Sequence, residues 1–205
     1  MVLYNSDNHN FTPTGYNCIY SSLCIEGGIL FGSENIIFRY NYKSRTMDSI
    51  YICQKKNLDI SEYRIQKMVQ LKKNKILIGT KEQGIYLYDC CTQQLTRFTS
   101  DIHHLLISLY VVSDKYVYAS FYGNGIYCYN QDGKIVKSYT SKTSSLNNNY
   151  VLDIIEHKGQ LWIATDGGGI NILDMNSDQI KVMCHVAGDL SLIHISEPTR
   201  HAQIS

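Results

Sequence analysis

Along this chain, apolar residues recur at every second position in short runs, and helical spacing is hard to find. In KILIGTKEQGIYLYD (75–89), Ile85 and Leu87 fall on one face and Tyr86 and Tyr88 on the other, which is the two-residue period of a strand. The same design, a strand, a Gly-containing tight turn and a second strand, recurs in YVYASFYGNGIYCYN (116–130) and QLWIATDGGGINILD (160–174). A fourth copy, ILFGSENIIFRYN (29–41), is one residue shorter in its turn and has Ile36 where the others have Gly84, Gly125 and Gly169. An apolar run precedes each hairpin (22–25, 65–71, 106–112 and 151–155). Another extended stretch follows each one (49–53, 94–99, 135–140 and 180–185). Both faces of each hairpin are apolar or aromatic, as in a sheet sandwiched between neighbours.

The Asn or Asp that closes each hairpin stands at 41, 89, 130 and 174, so the units are 48, 41 and 44 residues apart. Four strands in a unit of that length form the blade of a β-propeller. Helical repeats of similar length would need apolar residues at i, i+3 and i+4, which these units lack. The expected fold is therefore all-β: a partial β-propeller of four four-stranded antiparallel blades whose ring is not closed. The blades are expected at 15–57, 58–100, 101–144 and 145–189.

The fourth copy carries a family resemblance. Its run from Val151 through Asp153 and Ile154, then Leu161, Trp162, Ile163, Ala164 and Thr165, then Gly169 and Ile170, resembles the two-component regulator propeller repeat. That repeat reads Val-x-x-Ile, then Leu-Trp-Ile-Gly-Thr, then Gly-Leu. Ala164 departs from it, as do residues 119–121 of the third copy, and Tyr118 and Leu77 stand where Trp162 does. The resemblance spans 15–189 and weakens toward the first copy. WD40 and kelch readings fit less well, because no Gly-His with Trp-Asp pair and no Gly-Gly doublet marks each blade.

Both ends read as cut. Leu3, Tyr4 and Asn5 repeat Leu87, Tyr88 and Asp89, which puts Met1 at the place of Ile85, Ile126 and Ile170. Residues 1–14 are thus expected to be the remnant of a preceding blade. At the other end LSLIHISEPTR (190–200) resembles, codon for codon, an in-frame translation of a transposase-type sequencing adaptor, and Ile204-Ser205 falls where the adaptor resumes after its index. Residues 190–205 are expected to be a non-native tail.

Composition narrows the partners. Lys and Arg number 19 against 18 Asp and Glu, for a net charge of +1, so no basic field is present to draw nucleic acid or an anionic membrane surface. The longest nearly apolar run, 105–112, is far short of the roughly 20 residues that cross a bilayer. The first ten residues lack the basic and apolar regions of a signal peptide, although a start inside a blade deprives that absence of force. The seven Cys (18, 24, 53, 90, 91, 128 and 184) show neither C-x-x-C nor Cys/His zinc spacing. They read as buried small side chains or free thiols, with no disulfide framework.

Candidate chemistry is sparse. The run from Asp166 to Gly169 and the Gly123-Asn124-Gly125 turn each lead into a strand, so they are hairpin turns at positive φ rather than phosphate loops, which open helices. His103 and His104 have no third ligand at metal spacing. Asn147, Asn148 and Asn149 sit between blades and are expected to form Asx-type turns, and Trp162 is expected to pack in the core. No catalytic constellation, metal or cofactor is singled out. What remains is the polar rim formed by the turns between second and third strands and the connections entering each next blade. There Tyr122, Asn124, Asp166, Glu82, His103 and His104 are the candidate ligand-binding residues, with Tyr122 offered for stacking on a sugar face. The rim would suit peptides equally well. The resemblance implies a non-enzymatic fragment of the extracytoplasmic sensing propeller of a hybrid histidine-kinase regulator. Such a receptor would be dimeric, would be anchored through a transmembrane segment outside this stretch, and would respond to a small-molecule ligand such as an oligosaccharide. A propeller enzyme of lyase or quinoprotein type and a protein-interaction propeller are the alternatives.

Overall fold

A computed structural model describes residues 2–5, 10–13, 18–53, 63–99, 104–113 and 115–183, the first two stretches as backbone. The expected tail at 190–205, His103 and Cys184 lie outside the described residues. The strands are β1 (Val2–Asn5), β2 (Asn10–Pro13), β3 (Ser21–Ile25), β4 (Gly28–Gly32), β5 (Ile36–Asn41), β6 (Met47–Tyr51), β7 (Ile65–Lys72), β8 (Lys75–Thr80), β9 (Ile85–Asp89), β10 (Gln94–Arg97), β11 (Leu106–Val112), β12 (Tyr116–Phe121), β13 (Gly125–Tyr129), β14 (Ile135–Tyr139), β15 (Val151–His157), β16 (Gln160–Thr165), β17 (Gly169–Asp174) and β18 (Gln179–Met183). They form four antiparallel meanders of four strands, β3 to β6, β7 to β10, β11 to β14 and β15 to β18, and β1 pairs with β2. The first strand of each sheet packs on the first strand of the next, β3 on β7, β7 on β11 and β11 on β15. These strands are therefore innermost, and the four sheets form an open arc of a propeller, as the repeats predicted. Three inner strands carry a bulge at the same register, between Ile65 and Lys67, Leu106 and Ser108, and Val151 and Asp153.

The core lies between sheets. Leu30 and Ile37 of the first sheet meet Ile65, Met68 and Ile76 of the second. Leu77 and Ile85 then meet Leu106 and Leu109, and Tyr118 and Ile126 meet Val151, Leu161 and Ile163. Each fully buried aliphatic side chain contributes about 1.5–3 kcal/mol relative to exposure. This answers why the alternating runs of the second and third sheets are apolar on both faces: each of those sheets has a neighbour on both sides. It also explains the small residue near the end of every second strand, because the next inner strand begins directly on top of it. A Cβ added to Gly32 would lie 2.5 Å from Ile65 Cγ2, and one added to Gly79 would run into Leu106 Cδ2. At the third junction the Ser120 hydroxyl donates to the Val151 carbonyl at 3.5 Å.

Trp162 departs from the expectation of core packing. It faces outward on the fourth sheet beside Ile155, Ala164 and Ile170, where its counterparts Leu77 and Tyr118 are buried under the next sheet. The six described cysteines are all free thiols, and among them only Cys128 is buried, so Cys18, Cys24 and Cys91 are exposed thiols rather than core filling.

The repeated Asn or Asp closes the turn between third and fourth strands. The Oδ1 of Asn41 accepts from the Lys43 and Ser44 amides, that of Asp89 from Cys91 and Thr92, and that of Asp174 from Asn176 and Ser177, all at 2.9–3.1 Å. Asn130 does the same with Asp132 and Lys134. This is an Asx turn, in which a short side chain's acceptor oxygen takes the place of a backbone carbonyl. The amides of Thr92 and Cys91 hold the Asp89 carboxyl below its ordinary pKa, and those of Ser177 and Asn176 do the same for Asp174. A carboxylate whose pKa is depressed on folding stabilises the fold above its unfolded pKa and loses that contribution as pH falls through the folded value. The melting temperature should therefore fall on acidification below about pH 4. The double variant Asp89→Asn, Asp174→Asn keeps both turns and should lose less on the same descent. Thermal melts across pH check this, and identical acid limbs in variant and parent would refute it.

Candidate functional site

The rim is built from turns whose shapes the sequence prescribes locally. Thr80 donates its hydroxyl to the Gly84 carbonyl at 2.7 Å and accepts from the Gln83 amide, and Thr165 does the same to Gly169 at 2.9 Å. The strand-ending Thr thus ties off the turn between second and third strands. In the shorter first turn, Asn35 takes the left-handed conformation (φ 56°) and fixes Cys53 through both its amide nitrogen and its oxygen, at 2.7 Å each. Gly84, Gly125 and Gly169 all have positive φ, as the hairpin reading requires.

The structure joins some of the candidate residues and separates others. Tyr122 is 55% exposed, and its ring meets Tyr150 of the next sheet edge to face, with centroids 4.9 Å apart and planes at 75°. Tyr150 is itself 42% exposed, and the sequence reading passed over it. Asp166 is exposed on the same seam. Its amide donates to the Tyr150 carbonyl at 2.8 Å, and its own carbonyl accepts from Asn148 Nδ2 at 2.6 Å. Asn124 spends its side-chain amide inside its own turn, on the Tyr122 carbonyl at 2.9 Å. Glu82 and His104 lie one seam away: Glu82 pairs with Lys81 at 3.1 Å, and the exposed His104 ring stands against Phe121. At the first seam, Tyr20 donates to Glu34 at 3.1 Å and lies under the Arg64 guanidinium, 4.8 Å from its ring centre.

The three consecutive asparagines do more than form Asx turns. Only Asn148 makes one, with the Tyr150 amide at 2.8 Å. Asn149 reaches back, its Oδ1 accepting from Ser141 and its carbonyl from the Gly125 amide of the third sheet at 3.0 Å. Asn147 reaches forward, receiving Asn171 Nδ2 at 2.9 Å, giving its amide to Asn171 Oδ1 at 3.1 Å, and bonding the Gly168 carbonyl. This segment therefore stitches the third sheet to the turn of the fourth and leads directly into Tyr150. Nearer the axis, Ser108 donates to Asp153 at 2.7 Å across the two bulged inner strands.

On the outer side of the same seam lies a polar groove of about 350 Å³ between Lys137, Tyr139, Thr143, Ser144 and Asp178. Both Asp178 oxygens are engaged there, by the Tyr139 hydroxyl at 2.7 Å and Lys137 at 2.9 Å. Those two partners hold its carboxyl below the usual range, while burial pushes the Tyr139 phenol up. The arrangement latches two sheets. No group of three or more His, Cys, Asp or Glu arranged to hold a metal occurs among the described residues.

The rim thus offers neutral hydrogen-bonding groups around an exposed aromatic pair. The comparisons with known proteins bear on the segment beneath it. The family model described as the two component regulator propeller matches residues 145–167, which run from the asparagine stitch to Asp166 and Gly167. No curated protein matches the chain. Among solved structures, the extracellular domain of the B. thetaiotaomicron hybrid two component system BT3049 is 17% identical with a TM-score of 0.67, and covers 82% of this chain. The corresponding domain of BT4673 is 19% identical, also at 0.67, over 83%. The WD40 repeats of RRP9 superpose with a TM-score of 0.62 at 10% identity, covering 80% of this chain and 50% of theirs. These likenesses establish the propeller fold. The chain spans only 24% and 25% of the two extracellular domains.

Proposed function

We propose that this chain is part of the ligand-sensing propeller of a hybrid two component regulator, held outside the cytoplasm, and that it binds glycan fragments without transforming them. The match of residues 145–167 to the regulator repeat carries the reading, because those residues build the only seam among the described residues where two exposed tyrosines meet across sheets. A sugar suits such a surface: its apolar face packs on an aromatic ring while its hydroxyls take hydrogen bonds from neutral side chains. No helix among the described residues is long and apolar enough to cross a membrane, so the reading assigns the anchor and the kinase to other parts of the protein. Signal output follows if ligand binds one arrangement of a receptor dimer better than the other and shifts their populations.

The test is calorimetry of the intact extracytoplasmic region against a panel of oligosaccharides. Tyr122→Ala or Asp166→Ala should weaken binding by about 1–3 kcal/mol, the range for anchors at the centre of an interface, without lowering the melting temperature. Unchanged affinity in both variants would place the ligand elsewhere, and binding to no member of the panel would remove the glycan reading.

A further inference from the structure

We propose that the bond between Asp166 and Gly167 is a site of spontaneous covalent modification, at which aspartate rearranges through a cyclic imide to isoaspartate, and that the fold holds two rival bonds inert. The inference is independent of any ligand. Three bonds in the chain join Asn or Asp to a following glycine: Asn124 to Gly125, Asp132 to Gly133 and Asp166 to Gly167. Glycine obstructs ring closure least, because it has no Cβ. In the reaction the glycine nitrogen gives up its proton and attacks Cγ of the residue before it. Ammonia leaves from Asn, or water from a protonated Asp carboxyl. Water then opens the ring at either carbonyl. Opening at the α-carbonyl leaves the main chain running through Cβ and Cγ, with a free α-carboxylate. In an unfolded chain at neutral pH the Asn bond reacts fastest, since an amide needs no protonation before it is attacked.

The structure reverses that order. Gly125 donates its N–H to the Asn149 carbonyl at 3.0 Å, and Asn124 Nδ2 is held on the Tyr122 carbonyl at 2.9 Å. Nucleophile and target are thus both tied. Gly133 donates its N–H to the Asn130 carbonyl at 3.1 Å. Gly167 differs: its N–H has no hydrogen-bond acceptor among the described residues, and a Cβ built on it would meet nothing within 4 Å. The carboxyl of the exposed Asp166 has no hydrogen-bond or ion-pair partner among the described residues either. The Asp166 carbonyl, which shares its peptide bond with the Gly167 nitrogen, accepts from Asn148 Nδ2 at 2.6 Å. A donor placed there stabilises the charge that spreads onto the oxygen when the nitrogen loses its proton. The product would alter the rim itself. The Asp166 amide donates to the Tyr150 carbonyl at 2.8 Å, and the extra main-chain methylene and relocated carboxylate both fall at this residue.

The experiment incubates the 205-residue chain in neutral buffer, folded in one arm and unfolded in urea in the other. Peptides taken at intervals are read by electron-transfer fragmentation and by labelling with an isoaspartyl carboxyl methyltransferase and S-adenosylmethionine. In the folded chain, isoaspartate is expected at Asp166 several-fold faster than the mass gain of amide hydrolysis appears at Asn124. In urea the order should invert, with Asn124 leading. Gly167→Ala, shown to be folded by circular dichroism, should slow the reaction at Asp166 several-fold. Asn124 or Asp132 leading in the folded chain would overturn the proposal, as would an Asp166 that stays intact there while the urea arm reacts. An unchanged rate in Gly167→Ala would also overturn it, by assigning the signal to a route other than the imide.

Discussion

Gly125→Ala is expected to lower stability by about 3 kcal/mol or more. Gly125 opens β13 with φ 71°, and a Cβ there would run into the Tyr139 carbonyl oxygen. That oxygen cannot swing aside, because Tyr139 pairs with Ile126 in the ladder between β13 and β14. The left-handed conformation alone costs a residue with a side chain about 1–2 kcal/mol, and the collision adds the rest. Gly167 separates the two contributions. Its φ is 72°, but a Cβ there meets nothing within 4 Å, so Gly167→Ala should cost about 1 kcal/mol. Denaturant titrations of the two variants provide the measurement, and equal losses would show that crowding at Gly125 contributes nothing.

Asn171→Leu should cost about 3 kcal/mol, although leucine keeps the branched outline of the side chain in this fully buried site. Asn171 gives Nδ2 to Asn147 and accepts the Asn147 amide, and Thr165 lies within 3.4 Å of the same nitrogen. Leucine would leave the Asn147 amide without that acceptor, and each buried polar group left unpaired costs about 1–3 kcal/mol. The damage should also reach the rim, since Asn147, Asn148 and Asn149 together hold the connection that carries Tyr150. Hydrogen exchange at the Gly125 amide, which donates to the Asn149 carbonyl, should accelerate in this variant. Asn148→Ala, which removes two exposed hydrogen bonds, to the Tyr150 amide and the Asp166 carbonyl, should cost only about 1 kcal/mol. An Asn171→Leu protein as stable as its parent, with unaltered exchange at Gly125, would mean the network does not secure the seam.

The fold was legible because its causes are local and repeated. Alternation over five or six residues determines a strand, a glycine or asparagine at positive φ determines the turn after it, and a lone Asn or Asp closes the next turn by accepting from the backbone amides that follow it. All of these sit within a few residues of one another in the chain, and repetition at 41, 89, 130 and 174 makes each copy a check on the others. Strand ends moved by a residue or two, as with β6 at Met47–Tyr51 and β15 at Val151–His157, because the last ladder bonds depend on the neighbouring strand and not on pattern.

The seam was not legible. Tyr150 looked like the ordinary residue before an apolar strand, and its value comes from a ring 28 positions earlier, Tyr122, brought against it by the packing of one sheet on the next. The same holds for Asn171, which stands where the other copies have Tyr86 and Tyr127 and is stable in the core only because Asn147 arrives from the preceding connection. Trp162 was misread for the converse reason: its pattern is that of a buried strand residue, and burial is decided by whether a further sheet lies over it. Periodicity along the chain records which way a side chain points from its own strand. What it meets there is set by a partner remote in sequence, and only the packed arc of sheets supplies that partner.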